Sequence, residues 1–278
     1  MGAEQAITIE RYGSIERIPA AEWDACTGAE DPFSCHGFLA ALERSGSASG
    51  ATGWQPCHLV ARDSDGRAVG ICPAYIKDHS FGEFIFDWGW ADAFERAGGR
   101  YYPKLQVSIP FTPVTGPRLA VRPGAADPAA VRRALAEALT ETCDRLGLSS
   151  VHITFPRREE WDQLGELGWL QRTAHQYHWH NAGYRDFEDF LAHLSHRRRK
   201  EIRRERRAIA ESGVEIHALD GSEVEAEHLD AFYRLYQETC WQKLGPGYLT
   251  RAFLDELSAR LGDRALWMMA RLDGEWIA

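Results

Sequence analysis

No apolar run in this 278-residue chain approaches the roughly 20 residues that cross a bilayer as a helix. The opening MGAEQAITIE has neither a basic n-region nor an apolar h-region, so no signal peptide is expected there. Ala6 stands where a myristoylation signal wants serine or threonine. The cysteines at 26, 35, 57, 72, 143 and 240 are scattered with no C-x-x-C, the pattern of reduced, mostly buried thiols in a cytoplasmic protein. G-x-S-x-G, H-E-x-x-H and G-x-x-x-x-G-K-[ST] are all missing, so hydrolase, zincin and P-loop readings have no support.

Positive charge is also in deficit: 32 Lys and Arg stand against 41 Asp and Glu, a formal charge of −9. Yet the stretch 195–207, SHRRRKEIRRERR, sets seven arginines and one lysine against two glutamates. Ser195 is a plausible N-cap and Gly213 a stop, so residues 196–212 are expected as one helix. Leu191, Leu194, Ile202 and Ile209 fall on one face, with Arg198 and Glu205 on that side. Arg199, Lys200, Arg203, Arg204 and Arg207 fan across the other. Pairing of Glu201 with Arg197 or Arg198 accounts for part of the charge. A solvated helix face is one reading; the other is a bound polyanion such as a phosphate-rich ligand, nucleic acid or an anionic membrane surface.

Taken in order, residues 7–12 are expected as a strand, followed by two short helices opened by Pro19 and by Asp31-Pro32. Residues 54–63 and 67–77 flank an Asp-Gly turn and predict a β-hairpin. An aromatic stretch over 81–105 comes next, then a helix capped by Asp127, a strand at 149–155, a short helix, and an alternating strand over 169–181. A second cycle contains the basic helix, a strand at 214–219, helices over 226–244 and 249–262, and a hairpin opening at Asp273-Gly274. The last hairpin is half made at Ala278, so a truncated chain is expected. The repeated element order predicts an α+β fold of two tandem units, residues 1–181 and 182–278, the second incomplete.

That order, strand, two helices, antiparallel hairpin, helix, strand, resembles the GNAT acyltransferase superfamily. The runs FDWGWADAF, YYPKL with PFTPVTGPRL, QYHWHN with GYRDFEDFL, and RRRKEIRRERRAI resemble a family of bacterial FemAB-like proteins of peptidoglycan biosynthesis or recognition. The resemblance implies transfer of an acyl or aminoacyl group to an amine. The donor would be acyl-CoA or aminoacyl-tRNA, used as a co-substrate rather than a tightly bound cofactor, and the acceptor a muramyl-peptide precursor. Either donor is polyanionic and suits Arg199, Lys200, Arg203, Arg204 and Arg207. The different-class alternative is a non-catalytic GNAT-like module that binds precursor or RNA through the same helix.

Each candidate site has a structural alternative. Asp87 and Asp92, set with Trp90 among aromatics and glycines, suit a proton acceptor beside an amine or sugar ring, or are a cap within core aromatics. Tyr101, Lys104, Thr115 and Arg118 suit a phosphate- or carboxylate-bearing acceptor, or simply mark a turn before a strand. Strand alternation puts His178 and His180 on one face, for hydrogen bonding in a cleft; no neighbouring Cys or carboxylate completes a metal set. In the loop 121–127, Gly124 and Ala126 fit an acyl-CoA pyrophosphate loop, but Val121 and Pro123 degrade it.

Overall fold

The strand expected over 54–63 and its partner over 67–77 form one long hairpin, broken in the middle of both arms. In the computed structural model, which describes residues 6–28, 30–243 and 245–278, the first arm is β2 (Gln55–Pro56) and β3 (His58–Arg62), and the second is β4 (Ala68–Cys72) and β5 (Ala74–Lys77). The Asp63 carboxylate accepts from the N–H of Asp65 and of Arg67, and Gly66 supplies the positive φ that closes the turn. Pro73 has no N–H to give the ladder, so pairing changes partners there. β4 lies between β3 and β7 (Ala120–Val121), with β1 (Thr8–Tyr12) outside β3. β5 lies between β2 and β6 (Lys104–Val107), and β8 (Val151–Ile153) runs parallel to β6 on its far edge.

β6 and β7 thus run antiparallel to the two halves of one strand, and residues 108–119 between them loop out as a wall. Helix α4 (Pro128–Arg145) carries the chain from β7 to β8, with Pro128 at its first turn and the Asp127 carboxylate accepting from Ala130 N. Val131, Leu135, Ala138 and Leu139 make its buried stripe. A Cβ on Gly70 of β4 would sit 2.5 Å from the Val131 side chain, so glycine is what lets α4 approach.

The other helices of the first half are α1 (Ala20–Thr27), α2 (His36–Arg44), α3 (Trp88–Arg96) and α5 (Arg158–Glu166). After them come α6 (Phe187–Ala192), α7 (His196–Glu211), β9 (Glu215–Asp220), α8 (Ala226–Lys243), α9 (Arg251–Leu261), β10 (Leu266–Leu272) and β11 (Glu275–Trp276). β9, β10 and β11 make a third, antiparallel sheet. The fold is mixed α+β. Leu244, the end of the expected helix 226–244, lies outside the described residues, as do residues 1–5.

One hydrophobic cluster spans both halves of the chain. Trp23, Leu39, Trp54 and Tyr75 share it with Leu229, Phe253, Trp267 and Met269. α2 packs on α9 with the Phe38 and Phe253 rings edge to face at 5.9 Å, and Thr250 N donates to Ser47 Oγ. Burial at this scale stabilises by about 1.5–3 kcal/mol for each large side chain.

Three expectations are corrected. Residues 169–181 form no strand: their two alternating faces are both polar or amphipathic, with no apolar side to bury, and almost every side chain is exposed. The aromatic stretch contains a helix, α3, that exposes Trp88, Trp90 and Phe94 and buries only Ala91. The apolar face of α7 is open, since none of its residues is buried and Ile209 is 49% exposed.

Candidate functional site

β5 and β6 set two lysines directly opposite each other, Lys77 and Lys104, and neither has any exposed surface. Burial of an ammonium is tolerable only with partners for its three donors. Lys104 Nζ finds three: Ser80 Oγ at 2.9 Å, Glu83 Oε2 at 2.8 Å and Asp87 Oδ2 at 2.9 Å. Lys77 finds less, lying over the Trp54 ring at 3.7 Å with its Nζ 3.2 Å from the Phe81 carbonyl. Burial lowers it to about 7, with Glu83 opposing the shift and Lys104 adding to it. Burial also raises the Glu83 carboxyl, against the pull of Lys104.

Asp87 stands where α3 begins but gives it no side-chain cap. Its carboxylate turns inward instead. Oδ2 accepts from Lys104 and, at 2.8 Å, from the Tyr101 hydroxyl; Oδ1 is buried without a hydrogen-bond partner. Burial alone would raise its pKa, but the Lys104 ammonium and the hydroxyls of Ser80 and Tyr101 together outweigh that and hold the carboxyl below its ordinary value. Asp87 therefore stays ionised with half its acceptor capacity unused.

A cavity of about 470 Å³ opens beside it. Trp90, Tyr101, Phe155, Trp161 and Trp169 supply its aromatic walls, β8 one side, Thr115 part of the 108–119 loop, and Arg172 the extended 169–176 segment. His152, on β8, faces the same space and places its Nε2 3.0 Å from Ser150 Oγ. Burial, followed by the charge of Lys104, lowers His152 to about 4, so its imidazole is neutral at physiological pH.

That shift has a thermodynamic consequence. An unfolded histidine protonates near pH 6.5, so between pH 6.5 and 4 the unfolded chain binds more protons and native stability falls with acidification. The loss across that window is expected to be about 3 kcal/mol. Urea midpoints between pH 7 and pH 4 should fall more steeply for the wild type than for His152→Gln; equal slopes would refute the assignment.

Four phenylalanines around this region hold left-handed backbone: Phe84 (φ 56°), Phe86 (φ 53°), Phe111 (φ 60°) and Phe155 (φ 53°). Each such conformation costs on the order of 1 kcal/mol or more for a residue with a Cβ, and such strain concentrates at working sites. Phe84 and Phe86 set up the turn into Asp87, while Phe155 ends β8 at the cavity.

Of the residues singled out in the sequence, Asp87, Trp90, Tyr101 and Thr115 line this cavity together. Asp92 does not; it is exposed and pairs with Arg96 at 2.9 Å one turn on. Lys104 lies beneath the cavity, with every donor used internally. Arg118 is fully buried, its guanidinium donating to the carbonyls of Thr154, Pro117 and Val114, so it clamps the loop wall rather than facing a ligand. His178 and His180 stack loosely on each other in the exposed segment, and His178 Nε2 lies 3.1 Å from Gln176 Oε1. In the loop 121–127, the Asp127 carboxylate already occupies the N-terminal amide of α4 that a phosphate would need.

The basic helix divides unexpectedly. Arg199 donates to the carbonyls of Leu191, Ala192 and Leu194, closing the end of α6, and Arg203 pairs with Glu188 at 2.5 Å. Arg198, rather than Arg197, pairs with Glu201. Lys200, Arg204 and Arg207 remain exposed, with Arg197 on the same stripe, and no carboxylate pairs with any of the four among the described residues. His152 and Arg172 were not singled out in the sequence. The available signal for His152 was the alternation of Ser150, His152 and Thr154 with Val151 and Ile153.

A family model described as FemAB-like, peptidoglycan biosynthesis/recognition, matches residues 14–278. The chain belongs to that family. No curated protein matches this FemAB-like chain. Among solved structures, it is similar to a Trypanosoma brucei acetyltransferase, at 15% identity over 62% of this chain and 98% of that one, with a TM-score of 0.38. It is similar also to a Brucella melitensis ribosomal-protein-alanine N-acetyltransferase, at 15% identity over 64% and 100%, with a TM-score of 0.38. An aminoglycoside N-acetyltransferase in complex with CoA gives 13%, 66%, 99% and 0.38 in the same order. Likenesses this loose do not bear on the chemistry of the FemAB-like site.

Proposed function

We propose that this FemAB-like chain transfers an acyl or aminoacyl group to an amine, with a peptidoglycan precursor as the acceptor's source. The observation that carries the reading is the cavity itself, where an ionised, half-unpaired Asp87 and a neutral His152 face one aromatic-walled space. Asp87 holds the incoming ammonium, and His152 takes the first of the two protons that the nitrogen must lose. The amine lone pair then forms the C–N bond at the donor carbonyl. The C–S bond of a thioester, or the C–O bond of an ester, breaks, and the leaving group takes up the second proton, which the nitrogen gives up as the amide forms.

The donor is phosphate-rich, acyl-CoA or aminoacyl-tRNA, and its phosphates lie along Arg197, Lys200, Arg204 and Arg207. On this reading residues 1–181 form a GNAT-like unit for the acceptor, and residues 182–278 hold the donor.

The protein is incubated with acyl-CoA or charged tRNA and a muramyl-peptide, and the product mass is read. An acyl or aminoacyl mass gain is expected, lost in His152→Ala and weakened in Arg204→Ala/Arg207→Ala through a raised donor KM. No mass gain with either donor, alongside salt-sensitive RNA binding that the same arginine variant abolishes, would replace the enzyme with a binding module.

A further inference from the structure

Only two charged side chains line the cavity among the described residues, and they have opposite signs. Asp87 lines it, with its Oδ1 buried and without a hydrogen-bond partner. Arg172 lies with its guanidinium 4.6 Å from the centre of the Trp90 ring. One long contact, 3.5 Å to the Ile85 carbonyl, is its hydrogen bond. A guanidinium stacked on an aromatic face keeps its in-plane donors free at the edge, the geometry that takes a carboxylate in two parallel bonds. Asp87, His152 and Arg172 all line this one cavity.

A simple amine would satisfy Asp87 and leave Arg172 idle, and a simple carboxylate would do the reverse. A molecule carrying both charges satisfies each, while Trp90, Trp161 and Trp169 cover an apolar side chain between them. We propose that the cavity binds its acceptor as a zwitterion, an α-amino acid unit with an apolar side chain, its ammonium on Asp87 and its carboxylate on Arg172. This rests on the acyl-transfer reading only for calling the ligand an acceptor; the binding itself stands apart from it.

Three ligands of one shape separate the charges: phenylalanine, phenethylamine without the carboxylate, and 3-phenylpropionate without the ammonium. Racemic phenylalanine is used, and tryptophan fluorescence and calorimetry read the binding. Phenylalanine is expected to bind about tenfold or more tightly than either analogue, the size of one lost charge-assisted hydrogen bond. Arg172→Ala, an exposed position, should erase its advantage over phenethylamine and leave phenethylamine binding unchanged. Equal binding of phenylalanine and phenethylamine to the wild type would overturn the proposal.

The two readings part cleanly in the mass assay. Acylation of phenethylamine as readily as phenylalanine would remove the zwitterion and keep the transferase. Charge-dependent phenylalanine binding with no product from either donor would keep the zwitterion site and remove the transferase.

Discussion

Asp87→Asn is expected to lower kcat/KM for acyl transfer by about tenfold to a hundredfold, the size of one lost charge-assisted hydrogen bond to the acceptor ammonium. Asparagine keeps the shape, and its carbonyl still accepts from Tyr101 and Lys104, where Asp87 now accepts at 2.8 and 2.9 Å. Its other terminus becomes an NH2, however, which meets an incoming ammonium donor to donor. Steady-state kinetics on protein shown by circular dichroism to be folded measures the effect. Activity within a few-fold of wild type would exclude Asp87 from handling the acceptor.

Lys104→Met is expected to destabilise the protein by about 3–5 kcal/mol, because the change removes one partner of a buried network and strands the others. Glu83 and Asp87 both sit within 3 Å of that ammonium and are themselves fully buried. Glu83 Oε1 and Asp87 Oδ1 already lack partners, so nothing else is at hand to compensate them. The double variant Lys104→Met/Glu83→Gln should recover part of the loss by removing one stranded charge. Urea unfolding reads both, as a lower midpoint at unchanged slope. A loss below about 1 kcal/mol would mean the network is not ionised as described.

Much of the scaffold was legible because its signals are local. The Asp65-Gly66 turn, the Asp127-Pro128 start of α4 and the Ser195 cap of α7 each fix a boundary within a few residues of sequence. What sequence could not show is which charges fold inward. Lys104 and Arg118 read as ligand-facing cations, yet their partners Ser80, Glu83 and Thr154 arrive from 24, 21 and 36 residues away. Nor does spacing show that Arg199 would close α6, which leaves the unpaired basic stripe of α7 shorter than its charge count implied. The 169–181 segment misled for another reason: alternation predicts a strand only where one face has something apolar to bury.

The ring of Tyr248, in the loop between α8 and α9, lies flat on Phe111 at 5.0 Å and 11° and edge-on to Phe84 at 6.4 Å. Phe111 opens the loop that reaches the cavity at Thr115, and Phe84 leads into Asp87. The C-terminal half of the chain thus packs against two segments that lead to the cavity. One ring of the C-terminal half therefore touches both the segment that leads into Asp87 and the loop that carries Thr115.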